Sequence, residues 1–242
     1  MKVTIAGCRG SLPAPSGADL DGEEFKTSEF GGNTTCFLLT ADSGKKMIVD
    51  AGTGIVKAGR HLMKHGFGSK ADRELDIYIT HTHWDHIQGF PFFVPAYIAG
   101  NKINMYGEMK VTGDLGDAVN RSDPPTQHFN GVLSLSGSGM YQVLAEQQNP
   151  RNFPAPLDYM KGLRRFYDFL PGATLGNGKD LVIETTGINH PGGCISYKFI
   201  EGAGESKKTT VIYTDFEHVG TPEEDRRVID WWKGADLVVA DG

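Results

Sequence analysis

Cysteine is scarce in this chain. Cys8, Cys36 and Cys194 cannot all pair with one another, which excludes a disulfide-built scaffold and suits a reducing cytoplasm. Each lies in or beside an apolar segment and reads as a small core residue, with a soft metal ligand as the alternative. No apolar run approaches the ~20 residues that a membrane helix needs. Residues 1–6 pass directly into strand-like alternation without the apolar core of a signal peptide, so a cytoplasmic protein with no membrane partner is expected. Positive charge is also in short supply. Lys and Arg number 24 against 30 Asp and Glu, giving a net charge of −6. The basic residues are scattered, and Asp19, Asp21, Glu23 and Glu24 make the first long loop acidic. Long nucleic acid, which requires an extended basic face, is disfavoured, and a small partner is favoured. Internal repeats and low-complexity tracts are absent as well.

What is present is a chain of 242 residues with 39% hydrophobic content, enough for one α/β core. Residues 2–6, 35–40, 46–50, 76–80, 102–106, 180–186, 194–200, 209–214 and 236–240 read as strands. Ile55, Ala58, Leu62 and Met63 mark one face of a helix ended by Gly66. Thr221, Pro222 and Glu224 supply a capping threonine, a first-turn proline and a capping-box glutamate for a helix running to about Lys233. Residues 201–208 read as a hairpin between two strands. Residues 107–170, with Pro124, Pro125, Pro154 and Pro156 and weak amphipathic runs near 139–147 and 157–168, read as an insertion covering the active site of a single domain spanning 1–242. Phe90, Phe92, Phe93 and Tyr97 are expected either to wall a pocket there or to fill the core.

The most informative stretch is His81-Thr82-His83-Trp84-Asp85-His86, which follows the apolar strand pattern of residues 75–80. Three imidazoles and a carboxylate within six residues are the ligand set of zinc, iron or manganese. In extended backbone, residues two apart share a face, so His81 and His83 converge on one ion. A turn into helix near Asp85 sends that carboxylate and His86 onward toward a second ion.

This segment resembles the H-x-H-x-D-H signature of the metallo-β-lactamase-fold hydrolases. Further stretches resemble the same superfamily: residues 48–54 (IVDAGTG) its strand and Asp-x-Gly turn, 187–191 (GINHP) its third histidine, and Tyr213-Thr214-Asp215 its bridging aspartate. Residues 7–11 (GCRGS), 31–35 (GGNTT) and the histidine segment look most like the phosphodiesterase branch, which holds tRNA 3′-processing endonucleases and cyclic-phosphodiester hydrolases. The resemblance implies an α/β fold, the four-layer αβ/βα sandwich. It implies two divalent ions, zinc first and manganese or iron as alternatives. His81, His83 and His190 would hold one ion, Asp85 and His86 the other, with Asp215 bridging. Such a pair, ~3.5–4 Å apart, shares a hydroxide nucleophile and stabilises both oxygens of an in-line displacement.

Asp50, at a strand end, reads either as the carboxylate that orients ligand histidines in such proteins or as part of a plain Asp-Ala-Gly turn. His218 is a catalytic candidate, for leaving-group protonation or phosphate contact, beside the reading of an exposed loop histidine. Residues 31–34 offer backbone N–H groups to a phosphate or make an ordinary turn. His61 and His65, four apart on a helix, read as a solvated face. His128 has no assigned role. The resemblance also implies a further histidine beyond the strand at 236–241, supported by an acidic residue that Asp241 resembles. The sequence reaches Gly242 without that histidine. The expectation is therefore a fold lacking its last C-terminal elements and a weaker second metal site: either the chain is a fragment or a natural truncation, or water or another subunit completes the site.

Taken together, these features lead us to expect a dinuclear metal-dependent hydrolase acting through a metal-bridging hydroxide on a small phosphodiester such as a cyclic nucleotide. The rivals are a lactone or thioester hydrolase of the same fold and a non-catalytic metal-stabilised nucleotide-binding sensor. A homodimer is expected because dimers are common in this superfamily.

Overall fold

A computed structural model describes residues 1–14, 16–18, 20–26, 31–109, 132–133, 139–176, 180–218 and 220–240. Among them the strands are β1 (Lys2–Gly7), β2 (Gly17–Ala18), β3 (Glu24–Phe25), β4 (Cys36–Thr40), β5 (Lys46–Val49), β6 (Glu74–Tyr78), β7 (Lys102–Glu108), β8 (Val132–Leu133), β9 (Leu163–Phe169), β10 (Thr174–Leu175), β11 (Leu181–Ile188), β12 (Cys194–Glu201), β13 (Lys208–Tyr213) and β14 (Leu237–Ala240). The helices are α1 (Gly54–Lys64), α2 (Trp84–Ile87), α3 (Val94–Tyr97), α4 (Met140–Gln147) and α5 (Pro222–Trp232). All nine strands expected from the sequence form, each end within two residues. The architecture is mixed α/β with two main sheets and few helices. None of the described helices is long and apolar enough to cross a membrane.

The chain gathers into two compact units. One comprises residues 2–105 and 143–165. Its strands run β1-β4-β5-β6, with the first residues of β7 and β9 beyond β6. A short reversal at residues 41–45 joins β4 to β5 in antiparallel register, with Phe37 facing Val49. The connection through α1 then makes β5 and β6 parallel, with Val49 beside Tyr78. Parallel strands are covered on both faces, which accounts for their unbroken apolar character. Met47, Ile48, Val49, Ile77 and Ile79 are fully enclosed. Helix α1 turns Ile55, Ala58 and Leu62 inward, while Met63 stays at the surface. Enclosing each large aliphatic side chain contributes about 1.5–3 kcal/mol. Because β5 and β6 are parallel, their C-terminal ends lie at one sheet edge, and that edge delivers Asp50 and the segment Thr80–His83.

The other unit comprises residue 1 with 106–142 and 166–242. Its sheet runs β10-β11-β12-β13-β14. Strands β11 and β13 are both antiparallel to β12, so they point the same way, and the residues after each, His190 and Asp215, leave one sheet edge. Helix α5 crosses from β13 to the parallel β14. It packs Val228, Trp231 and Trp232 on Ile188, Cys194, Val211 and Tyr213. The Trp231 indole N–H donates to Ser196 Oγ at 2.9 Å, and Lys198 Nζ sits 3.9 Å above the same ring.

Two local expectations are corrected, and the alternatives for the aromatics after the histidine cluster divide between them. The run at 157–168 is a 3-10 turn, Leu157–Tyr159, followed by β9. Cys8 is exposed, whereas Cys36 and Cys194 are core residues as expected. Phe90 and Phe93 are enclosed and Tyr97 is half-buried, its hydroxyl donating to the Pro91 carbonyl at 2.7 Å; Phe92 stands 58% exposed. His128, Pro124 and Pro125 lie outside the described residues.

Candidate metal centre

After β6 the chain leaves regular structure at residues 79–83, with His83 extended at φ −62° and ψ 153°, and then enters α2. This stretch sets the rings of His81 and His83 at 4.5 Å, edge to face. The single helical turn brings His86 back, its ring 4.1 Å from that of His81. His81 and His86 are buried and His83 is exposed. A ligand-capable atom of His81 lies within 4.8 Å of one on His83, and the same holds for His81 and His86. The Asp85 carboxylate lies 3.6 Å from His86 Nε2. The Ser11 backbone N–H, from the loop after β1, donates to Asp85 Oδ2 at 2.8 Å and fixes that carboxylate in place.

Beneath these side chains lies Asp50, fully buried at the end of β5 with φ +62°. A left-handed backbone at a residue other than glycine costs of the order of 1 kcal/mol and persists only where its surroundings enforce it. Here it aims the carboxylate at His86 Nδ1, 2.8 Å away. The carboxylate also accepts from the Thr80 backbone N–H at 2.8 Å and lies 2.9 and 3.0 Å from the Thr80 hydroxyl. Burial pushes the Asp50 carboxyl above the usual carboxylate range, while the charge and hydrogen bond of His86 and the Thr80 donors oppose the rise. Thr80 Oγ1 also lies 3.1 Å from His81 Nδ1. With the hydroxyl proton given to Asp50, its oxygen accepts from His81 Nδ1–H. Both buried imidazoles are then held as the tautomer whose lone pair is on Nε2. Two such nitrogens with a third histidine and a carboxylate fit a borderline divalent ion.

Backbone crowding supports this arrangement. A Cβ on Gly52 would lie 2.2 Å from the Asp85 carbonyl oxygen, and one on Gly89 would lie 2.2 Å from the Gly52 carbonyl oxygen. Only glycine lets the turn after β5 and the ends of α2 approach so closely. That contact is stitched by Ala51 N–H to His86 O at 2.7 Å and Gly89 N–H to Ala51 O at 3.0 Å. From α4, Gln147 donates its side-chain amide to the Ile87 carbonyl at 2.9 Å. Thr34 and Thr53 exchange backbone N–H to hydroxyl bonds at 2.8 and 2.9 Å. The Thr34 amide is therefore spent within the fold.

In the second unit, His190 Nδ1 lies 3.3 Å from Glu217 Oε1. Asn189 and Glu217 exchange two further bonds, Glu217 N–H to Asn189 O at 3.0 Å and Asn189 Nδ2 to Glu217 O at 2.8 Å. The loops that carry His190 and Asp215 are thereby tied together. Asp215 is half-buried with φ +56°, the second left-handed aspartate among the candidate site residues. His218 is exposed, its ring edge-on to Phe216 at 4.8 Å. Asp241 lies outside the described residues. His61 and His65 lie exposed on α1 with ring centroids 4.1 Å apart and tilted by 34°, and desolvation, with the neighbouring His65, Lys2 and Lys64, lowers the His61 pKa. Sequence reasoning missed Thr80, Glu217 and the Ser11 amide. Thr80 had a signal, as a hydroxyl at the buried end of a strand before a histidine; the other two depend on loop contacts that local sequence does not carry.

A family model described as Anti-Pycsar protein Apyc1 matches residues 22–123. No curated protein matches the chain. Solved structures of similar fold include the metallo-beta-lactamase fold protein YhfI from Bacillus subtilis, at 17% identity and TM-score 0.55 over 98% of this chain and 68% of that one. The short form of human tRNase Z follows at 16% and 0.54, covering 98% and 76%. Zn(2+)-bound PqqB from Methylobacterium extorquens aligns at 12% and 0.54, covering 99% and 70%. The chain has the metallo-β-lactamase fold.

Proposed function

We propose that this protein is a metal-dependent hydrolase of a small phosphodiester such as a cyclic nucleotide. The observation that carries the reading is the Asp50–Thr80 pair, which holds His81 and His86 with Nε2 as their lone-pair nitrogen beside His83 and Asp85. In this proposal His81, His83 and His190 hold one divalent ion, Asp85 and His86 a second, and Asp215 bridges them. Zinc, manganese or iron bound there would supply Lewis acidity and lower the pKa of a coordinated water from ~16 toward ~7. Asp85, kept in place by the Ser11 amide, holds its charge toward the reacting group. Asp50 retains the His86 Nδ1 proton, and Glu217 is placed to do the same for His190. His218 is the candidate for contact with the phosphate or the departing oxygen.

The choice of a diester rests on the resemblance of residues 7–11, 31–35 and 187–191 to the phosphodiesterase branch. The Apyc1 match takes in residues 31–35 and the 81–86 cluster and supports the same branch. A net charge of −6 favours a small substrate over a long polyanion. The test measures metal content per chain and turnover of cyclic nucleotides, lactones and thioesters on one preparation, with H83A and D85A as controls. Diester turnover that needs metal and is lost in both variants supports the proposal. Preference for lactone or thioester moves the assignment to carbon ester chemistry. Tight nucleotide binding with no hydrolysis under added zinc, manganese or iron makes the protein a binder.

A further inference from the structure

We propose that Trp84 is the platform on which a heteroaromatic ring of the substrate, a nucleobase, stacks. The inference rests on the diester reading above and specifies the substrate class. Trp84 lies between His83 and Asp85, two of the proposed ligands, and is 64% exposed. The other two tryptophans are both half-buried on the second unit's sheet, Trp231 hydrogen-bonded to Ser196 and Trp232 edge-on to Tyr213 at 5.0 Å. The Trp84 indole has no ring or hydrogen-bond partner among the described residues. Its backbone, by contrast, is fixed. The Trp84 carbonyl accepts from Gln88 N–H at 2.7 Å, His86 N–H reaches the His83 carbonyl at 3.0 Å, and the following peptide is packed against Gly52. A large flat apolar surface is thus presented on a rigid turn, one residue from each of two polar ligands. A helix surface needs no tryptophan there, and exposing one is unfavourable unless something covers it. A ring attached to a phosphodiester arrives with the phosphate toward the histidines and its π-face available for the indole. Stacking of this kind accepts any base, because every base has a π-face.

The test compares a nucleoside 3′,5′-cyclic phosphate with ribose 3′,5′-cyclic phosphate lacking the base, on metal-loaded wild type, W84A and W84F. The preference for the base-bearing ester, read as the ratio of kcat/KM values, falls roughly ten- to hundredfold in W84A and is largely kept in W84F. An equal ratio in all three proteins overturns the platform. So does dissociation of an oligomer in W84A, which would give the indole to a contact between copies. If the metal-loaded wild type turns over neither ester, the hydrolase reading fails and indole fluorescence decides the platform separately. Quenching by the nucleotide that is absent with the base-free ester, and absent in W84F, supports stacking. Equal quenching by both esters, or none, overturns it.

Discussion

The carboxylate of Asp50 and the imidazole of His86 meet at 2.8 Å in a pocket closed to solvent. Thirty-six residues separate them in the chain, and parallel pairing of β5 with β6 brings their segments to one edge. The contact fixes which ring nitrogen is available to an ion. Asp50→Asn keeps the size of the side chain but replaces a charged acceptor with an amide. Removing such a supporting carboxylate typically weakens metal binding by about 10–100-fold. Competition titration with a chelator should show that loss for D50N. The metal-free protein should unfold at no lower denaturant concentration, since burial disfavours the charged Asp50. Unchanged metal affinity would mean that Asp50 serves the fold alone.

His190 and Glu217 form a looser version of the same relationship, at 3.3 Å with Glu217 56% exposed at its side chain. Solvent screens that pair and weakens its grip on the ring. Glu217→Gln should therefore lower metal affinity in the same direction as D50N but by a smaller factor, measured in the same titration. A larger effect than that of D50N would reverse the order of importance drawn from burial.

The ease with which these features could be read from sequence follows from how local they are. His81, His83, Asp85 and His86 fall within six residues, and the stretch after β6 followed by one helical turn is enough to bring three rings together. Asp50 was legible as a carboxylate ending an apolar strand, but whether it oriented histidines or made a turn depended on pairing with β6. The role of Thr80 depends on both strand ends at once. The Ser11–Asp85 bond spans 74 residues, and no local pattern encodes it. Strand β9 was misread because Arg164 and Arg165 interrupt its alternation; only its last two residues, Asp168 and Phe169, are buried, so tertiary pairing rather than pattern makes it a strand.

Close backbone approach at Gly52 makes a sharper test of the loop geometry. A methyl group there meets the Asp85 carbonyl at 2.2 Å and Thr34 Oγ1 at 2.5 Å, and neither backbone nor buried hydroxyl can move without disturbing α2. Gly52→Ala should destabilise the fold by about 1–3 kcal/mol, the usual range for overpacking, and should weaken metal binding because α2 carries Asp85 and His86. Denaturant unfolding and metal titration on the same sample check both. Full stability with normal metal binding would show that the turn relaxes more freely than its contacts imply.

Asp168 should make stability depend on pH in a direction opposite to that of most carboxylates. It is 1% exposed in β9 and accepts the Met140 N–H at 2.8 Å where α4 begins. Gly139, at φ +79°, lies so close that a Cβ would fall 2.3 Å from the carboxyl carbon. Burial raises the Asp168 pKa to about 6, against the weaker lowering effect of the Met140 bond. Between its ordinary value of 3.8 and about 6, the folded protein keeps a proton that the unfolded chain has released. The stabilisation from this group is complete below the lower value and is lost as pH rises through the upper one. A shift of this size corresponds to about 3 kcal/mol. Unfolding free energies of wild type and Asp168→Asn at pH 4 and pH 7.5 isolate the contribution, since all other groups cancel in the difference. The wild type should lose about that much more stability than D168N between the two pH values, and parallel curves would mean that the carboxyl titrates normally.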